Sequence, residues 1–569
     1  MAKLTTPYIE KMDKACPHAY HPTPQFKRAD YISLNGEWDF AQTTDGDIPG
    51  YNEKILVPFP PESYASGIER AVLPEHTLHY RRLFVIPDSF AGKRIFLHFG
   101  AVDQTCTVYL NGEELGSHSG GYIPFSFDVT DKLTEGENEI YLEARDGLDH
   151  KYPYGKQKYD RGGMWYTPVS GIWQSVWLEA TPECYVEDIK ITPYEKGVKI
   201  AVTGGCSHKK ITLTESGEVF EFDGSLVKIE PKELKLWTPE TPHLYHFKLE
   251  AGDDVIESYF AIRWVSVQNI NGVNRLCLNG KPYLFNGMLD QGYYPDGIFL
   301  PATEEGYVDD IKMTKALGFN MLRKHIKIEP MIFYYLCDKH GIAVFQDMVN
   351  NGEYKFGLHT IVPTVSPMFL QKLGDRFTAR DPETRAIFEA NMYATADHLY
   401  NVPSVVYYTI FNEGWGQFTS DKMYVKLKSF DPTRIIDSTS GWFRRRKTDV
   451  DSRHIYFRPL EPKLLDGKPL VISEFGGFAH GVEGHTYGSA VYGYNTIPEN
   501  DKYEDKVCDL YDTAVRALVE KGASAFIYTQ VSDVEDEING FATYDRQVVK
   551  INAERLKKIN DELKNISEL

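Results

Sequence analysis

The chain has 569 residues, a mass of 65.0 kDa and a formal net charge of -19 at pH 7, with 42% hydrophobic, 25% charged and 13% aromatic residues. That length calls for several domains of about 150 residues each, and a chain so rich in Tyr and Phe is globular, not disordered. The acidic balance excludes nucleic acid and an anionic membrane surface as partners, since a polyanion is repelled by it, and favours a neutral ligand.

The N-terminus MAKLTTPYIEKMDKAC lacks an apolar signal core, and no run of about 18 apolar residues occurs, so a cytoplasmic chain that spans no membrane is expected. Seven cysteines (16, 106, 184, 206, 277, 337 and 508) are scattered, odd in number and without a CxxC pair. Neither a metal site nor a disulfide framework follows, and reduced thiols are the simpler expectation. No cofactor is indicated. A homo-oligomer is compatible with the composition but not readable from it.

From about Tyr31 to Glu183 short alternating runs recur: GEWDFAQ, HYRRLFVI, KRIFLHFGAV, QTCTVYLNGEEL, IPFSFDV, NEIYLEARD and QSVWLEA. Their spacing predicts an antiparallel β-sandwich, with Asn111-Gly112 as a hairpin turn. Residues 184–266 repeat the pattern in VEDIKITP, GVKIAVTG, KKITLTES, HLYHFKLEAG and SYFAIRW, a length that suits an immunoglobulin-like sandwich without its usual disulfide. From about 267 to 569 strands alternate with helices. YLFNGML leads into a helix ending at Gly318, and PMIFYYLCDKHG is a helix started by Pro330 and stopped by Gly341. NMLRKH, AVFQDM, VVYYTIF, IIDST, HIYF, LVISEF and SAFIYTQV complete eight strands, the pattern of a TIM (β/α)8 barrel with its chemistry at the carboxyl ends of the strands.

Two of those strands end in glutamates: VVYYTIFNEG carries Glu413 and PLVISEFGG carries Glu474. Retaining hydrolysis of a glycoside needs one carboxyl to protonate the departing oxygen and a second, about 5 to 5.5 Å away, to attack the anomeric carbon. Two strand ends of one barrel can supply that pair. Taken singly, each glutamate is as well explained as a solvated strand end. Asn412, Gly414, Trp415, Gly416, Gln417 and Phe418 around the first add the aromatic faces and amides that bind sugar rings and hydroxyls. A non-catalytic carbohydrate-binding protein would not need both glutamates, and an aldolase or metal hydrolase would need a strand-end lysine or a histidine cluster that the chain does not offer.

The order sandwich, immunoglobulin-like domain, barrel, together with NEG on strand four and SEFGG on strand seven, resembles the family 2 glycoside hydrolases over nearly the whole chain. GEWDF, YLNGEELGSHSGGYIPFSFDVT and SGIWQSVWLE are similar to that family's jelly-roll-like sugar-binding domain, and LNGKPYLFNGM to its barrel entry. The resemblance implies an exo-acting retaining β-glycosidase with a carbohydrate substrate: β-galactosidase as the first label, with β-mannosidase, β-glucosidase or arabinosidase-type specificity as alternatives. It implies Glu413 as acid/base, Glu474 as nucleophile, Asn412 as the amide on the sugar 2-hydroxyl, Tyr456 as donor to the nucleophile and Arg323 as the charge that keeps Glu474 ionised, with His325 facing the sugar or closing its strand.

Where many members carry histidines after the first barrel strand, this chain has MLDQGYYPDG, so Asp290 and Gln291 are expected to face the site, unless Asp290 merely turns with Gly292. Asp347, Trp442, Tyr528 and Gln530 are further pocket candidates. The β-glucuronidases read the substrate carboxylate with an Asn-x-Lys element, and the matching Glu537-Ile538-Asn539 has no lysine, which disfavours a glucuronide and leaves β-glucuronidase as the last of the alternatives. The loop 152–166, with Lys156, Arg161 and Trp165, is long enough to reach the barrel mouth and is equally well an ordinary surface loop.

Overall fold

The computed structural model describes residues 3–44, 50–204, 207–362, 375, 379, 381–441, 443, 446–456, 459–461 and 467–568. Alternation of apolar and polar residues shapes the first domain, in which a four-stranded and a six-stranded antiparallel sheet face each other. Strand Gly36–Thr43 turns Trp38 and Phe40 inward, and Glu137–Arg145 turns Ile140, Leu142 and Ala144 inward. Asn111 and Gly112, with φ of 52° and 83°, form the predicted turn between Thr105–Leu110 and Glu113–Ser119. The short strand Glu53–Val57, absent from the sequence reading, completes an edge of the larger sheet.

A second sandwich of three and four strands follows. Two of its strands, Val219–Asp223 and Leu226–Ile229, pair in different sheets, so the chain crosses between them at Gly224. Cys184 is disulfide-bonded, contrary to the expectation of thiols throughout. Spacing along a chain does not report which sulfurs meet in space. Cys16, Cys106, Cys277, Cys337 and Cys508 are free, and Cys206 lies outside the described residues. No helix among the described residues is long and apolar enough to cross a membrane.

Eight parallel strands form the barrel: Phe285–Asp290, Met321–Lys324, Ala343–Asp347, Val405–Thr409, Ile435–Asp437, Asp451–Ile455, Leu470–Phe475 and Ala525–Tyr528. Neighbours pair in order from the fifth strand back to the first and on through the eighth to the sixth, and the fifth and sixth are not paired with each other among the described residues. Alternate residues divide between two cores. Phe285, Leu289, Met321, Phe345, Tyr407, Val471 and Ile527 fill the lumen, while Met288, Leu322, Val344 and Phe526 pack outward on the helices. Helices Glu305–Ala316 and Met331–His340 end at Gly318 (φ +82°) and Gly341 (φ +75°), as predicted. A C-terminal helix, Ala553–Glu568, was not read from the sequence; it buries Leu556 and Leu563 against the barrel, and its Asn560 donates to Leu317 O at 2.9 Å.

Loop 152–166 of the first sandwich lies on the barrel mouth. Tyr154 N donates to Asn350 O at 3.2 Å, Trp165 meets Trp415 edge to face, and Tyr166 donates to Glu537. Phe59, Tyr122, Trp173, Phe299, Ile326 and Trp415 share one apolar cluster across this junction.

Candidate active site

Arg323 and His325 stand two apart on and just beyond strand two, so both turn into the lumen. Arg323 is 1% exposed and divides its guanidinium among strand three, strand seven and the loop after strand four: Nε to Asp347 Oδ1 at 3.0 Å, Nη1 to Glu474 Oε1 at 3.1 Å and Nη2 to Asn412 Oδ1 at 2.8 Å. Asp347 spends its other oxygen on His325 Nδ1 at 2.7 Å, so it holds these two side chains and not a sugar. Tyr456 donates to Glu474 Oε2 at 2.6 Å and also meets Thr529 Oγ1 at 2.8 Å.

Glu474 lies inside strand seven. Burial pushes its carboxyl up, but His454, Arg323 and His325, with the Tyr456 hydrogen bond, outweigh that and hold it below the usual carboxylate range. It carries a counter-charge on one oxygen and a hydroxyl on the other. Glu413 lies four residues past strand four, with its backbone in the left-handed region at φ 52°. Its N–H donates to Ser440 O at 2.9 Å, which ties the loop to the one after strand five. Gly414 follows at φ +75°, and a Cβ there would lie 2.3 Å from the Phe443 ring, so the glycine of NEG is a packing requirement.

His454, two residues before Tyr456 and thus on the same face, was not singled out in the sequence. Its Nδ1 lies 2.7 Å from Glu413 Oε1 and 3.4 Å from Glu474 Oε2, and its Nε2 lies 2.9 Å from Ser440 Oγ. The period of a strand was the available signal: a face that presents Tyr456 to Glu474 also presents His454. Ligand-type atoms of Glu413, His454 and Glu474 all lie within 4.8 Å of one another. Donors around a tetrahedral zinc stand about 3.3 Å apart. The 2.7 Å contact is a hydrogen bond, and the group reads as a hydrogen-bonded relay, not a metal cradle.

Other expected residues sit differently. Asp290 does not enter the lumen: its carboxylate accepts from Gly292 N at 2.8 Å and pairs with Lys324 Nζ at 2.7 Å on the helix side of the strand, because it alternates with inward Leu289. Gln291, next along, is buried with an Oε1 that has no protein partner among the described residues. Tyr528 likewise faces outward and stacks on Phe541 at 4.5 Å, leaving Thr529 as the residue of that strand that meets Tyr456. Gln530 is buried and donates to Asn539 Oδ1 at 2.9 Å. Trp415 is 2% exposed, donates to Gly352 O and packs edge to face with Tyr154, Trp165 and Tyr354, so it forms a wall and not an open platform. Trp442 lies outside the described residues.

Glu537 is buried, accepting from Tyr166 and, at 2.9 Å, from Asn539. Burial raises its carboxyl, and Lys156, Tyr166 and Asn539 pull against that. Arg161 is engaged by Glu535 and Asp536, each at 3.3 Å.

A two-sandwich and barrel chain with paired carboxylates at the strand ends defines a glycosidase architecture. The sugar binding domain of glycosyl hydrolases family 2 matches residues 25–182, a further glycosyl hydrolases family 2 segment matches residues 184–263, and the family's TIM barrel domain matches residues 269–476. The chain belongs to glycosyl hydrolases family 2. It is 23% identical to a β-galactosidase of Priestia megaterium over 92% of this chain and 51% of that protein. With a β-galactosidase of Pseudoalteromonas haloplanktis it shares 26% over 74% and 43% respectively. The chain thus spans about half the length of these curated relatives. Among solved structures it is similar to a β-glucuronidase of an uncultured Clostridium species (TM-score 0.74, 20% identity, 95% of this chain and 99% of that one). It is also similar to a β-galacturonidase from Eisenbergiella tayi (TM-score 0.69, 20% identity, 96% and 98%).

Proposed function

We propose that the chain is a retaining exo-β-glycosidase that removes a terminal non-reducing sugar by double displacement. Glu474 attacks the anomeric carbon, and Glu413 protonates the departing oxygen and then deprotonates the incoming water. One observation carries this reading: an oxygen of Glu413 and an oxygen of Glu474 lie within 4.8 Å, near the separation of about 5 to 5.5 Å in a retaining pair and short of the about 6.5 to 9.5 Å by which an inverting pair admits water. Arg323 keeps the nucleophile charged, and Asn412, held by the same guanidinium, is aimed for the 2-hydroxyl.

A neutral β-galactoside is the substrate we favour. Glu537 is an acceptor where a uronate would need a cation, Arg161 is engaged by Glu535 and Asp536, and Lys324 turns away from the lumen. A uronide is the second reading, favoured by Lys156: it is half-buried, near enough to Glu537 and His325 to act on both, and has no ion pair of its own among the described residues. A panel of nitrophenyl glycosides tests both. Fastest turnover of the galactoside, with the β-anomer as first product by NMR, supports the reading. A uronide that wins, and loses its advantage in Lys156→Met, replaces the neutral sugar with an acidic one. An α-anomeric product overturns retention.

A further inference from the structure

His454 lies between the two catalytic carboxylates with its side chain 0% exposed. Its Nε2 is the start of a run of hydroxyls. Ser440 Oγ donates to Ser473 Oγ at 2.9 Å, and Ser473 Oγ meets Ser452 Oγ at 2.7 Å and donates to Arg453 O at 3.3 Å. A backbone carbonyl at the far end can only accept, so Ser473 passes its hydrogen to Arg453 O, Ser440 passes its own to Ser473, and Ser440 is left to accept from Nε2–H. The other nitrogen faces Glu413 Oε1. Were Nδ1 to accept there, the acid proton would sit on Oε1, pointed at the ring and away from the sugar. Only a donating Nδ1 leaves Oε2 to carry the transferable proton.

We infer that His454 works as an imidazolium wedged between Glu413 and Glu474, a positioning residue that assigns the acid's proton to the oxygen facing the substrate and supplies a counter-charge to both carboxylates. It touches the catalytic side chains and not the sugar, and the inference rests on the double-displacement reading above. In the first half-reaction Glu413 Oε2–H moves to the departing oxygen as the Glu474–carbon bond forms. The carboxylate left behind is then paired with the Nδ1–H already bonded to its other oxygen. In the second, that carboxylate takes the proton of water as the Glu474–carbon bond breaks, and the imidazolium is unchanged over the cycle. Charged and titratable groups around this wedge are Glu413 from the loop after strand four, Glu474 from strand seven, Arg323 and His325 on and just beyond strand two, Asp437 at the end of strand five, Tyr456 just past its own strand, and Tyr354, Tyr492 and Tyr494, whose interactions reach Glu413.

The test is the pH profile of kcat/KM in His454→Asn, whose amide offers a donor near the Nδ1 position without the charge. Taking a cation from between two carboxyls makes both hold protons to higher pH, so both limbs of the bell should move up, by about one unit or more. Ser440→Ala, which removes the acceptor of Nε2, should move them in the same direction by less. Thermal melts of both variants report folding, and Ser440→Ala carries the test if His454→Asn does not fold. A lowered rate on an unmoved or downshifted bell in folded variants overturns the inference and leaves double displacement standing. A wild-type chain that turns over aryl glycosides without retention removes the reading beneath it.

Discussion

Strand two sets two buried cations side by side and gives them opposite work. Arg323 is 1% exposed and faces the lumen, joining Asp347, Glu474 and Asn412; Lys324 is 0% exposed and faces the helices, joining Asp290 at 2.7 Å and Glu329 at 2.8 Å above the Phe333 ring. Lys327 adds itself to Glu329 at 2.8 Å and to the carbonyls of Gly292 and Phe299, so every partner of the outward group is internal. The lesson is that burial and charge do not by themselves mark a site. The inward group joins side chains from several strands at the barrel mouth, while the outward one closes on itself and fastens the loops after strands one and two.

The contrast is sharpest at the nucleophile. Glu474→Ala should lower kcat on aryl glycosides by on the order of 10⁴ to 10⁶-fold, with azide restoring turnover and giving the inverted product because a small anion fits the vacated space. Wild-type activity in that variant would remove Glu474 from the reaction. Glu413→Ala should cost about 10² to 10⁴-fold on substrates with poor leaving groups. Activated ones should still depart in a rapid burst, followed by slow deglycosylation, and stopped-flow traces without a burst would argue against the acid/base role.

Exchanging the two neighbouring cations tests the comparison itself. Arg323→Met should lower kcat/KM by about 10² to 10³-fold through lost support of Glu474. Lys324→Met should leave the rate per folded molecule nearly unchanged and cost about 3 to 5 kcal/mol of stability by leaving Asp290 buried without its ion partner and Glu329 with Lys327 alone. Reversed outcomes in paired kinetics and denaturant melts would exchange the roles assigned to the two faces.

The smallest expected effect concerns acid. Glu474 and Asp347 have carboxyls held below their ordinary values against burial, Glu474 by His454 and Arg323 and Asp347 by Arg323 and His325. Their stabilisation of the native state is thus complete above the unfolded value, near 4, and is lost only as pH falls through the lower folded value. The acidic limb of kcat/KM should accordingly lie below about pH 4.3. A limb near neutrality would mean that the nucleophile is not held ionised by these cations.

Local pattern carried much of this protein. Period-two alternation marked the sandwiches, the switch to alternating strands and helices marked the barrel, and Glu413, Glu474, Tyr456 and Arg323 were legible because each ends or lines a strand inside a recognisable run. The same alternation, applied one residue further, separates Asp290 from Leu289 and adds His454 to Tyr456. Tertiary structure alone decided the rest: that loop 152–166 of the first domain brings Tyr166 to Glu537, that three serines from strand six, strand seven and the loop after strand five form one hydrogen-bonded run, and that Lys324 is closed off by Glu329. These contacts join residues from 5 to 371 positions apart, and a linear pattern records only which face a side chain takes, not which group arrives to meet it.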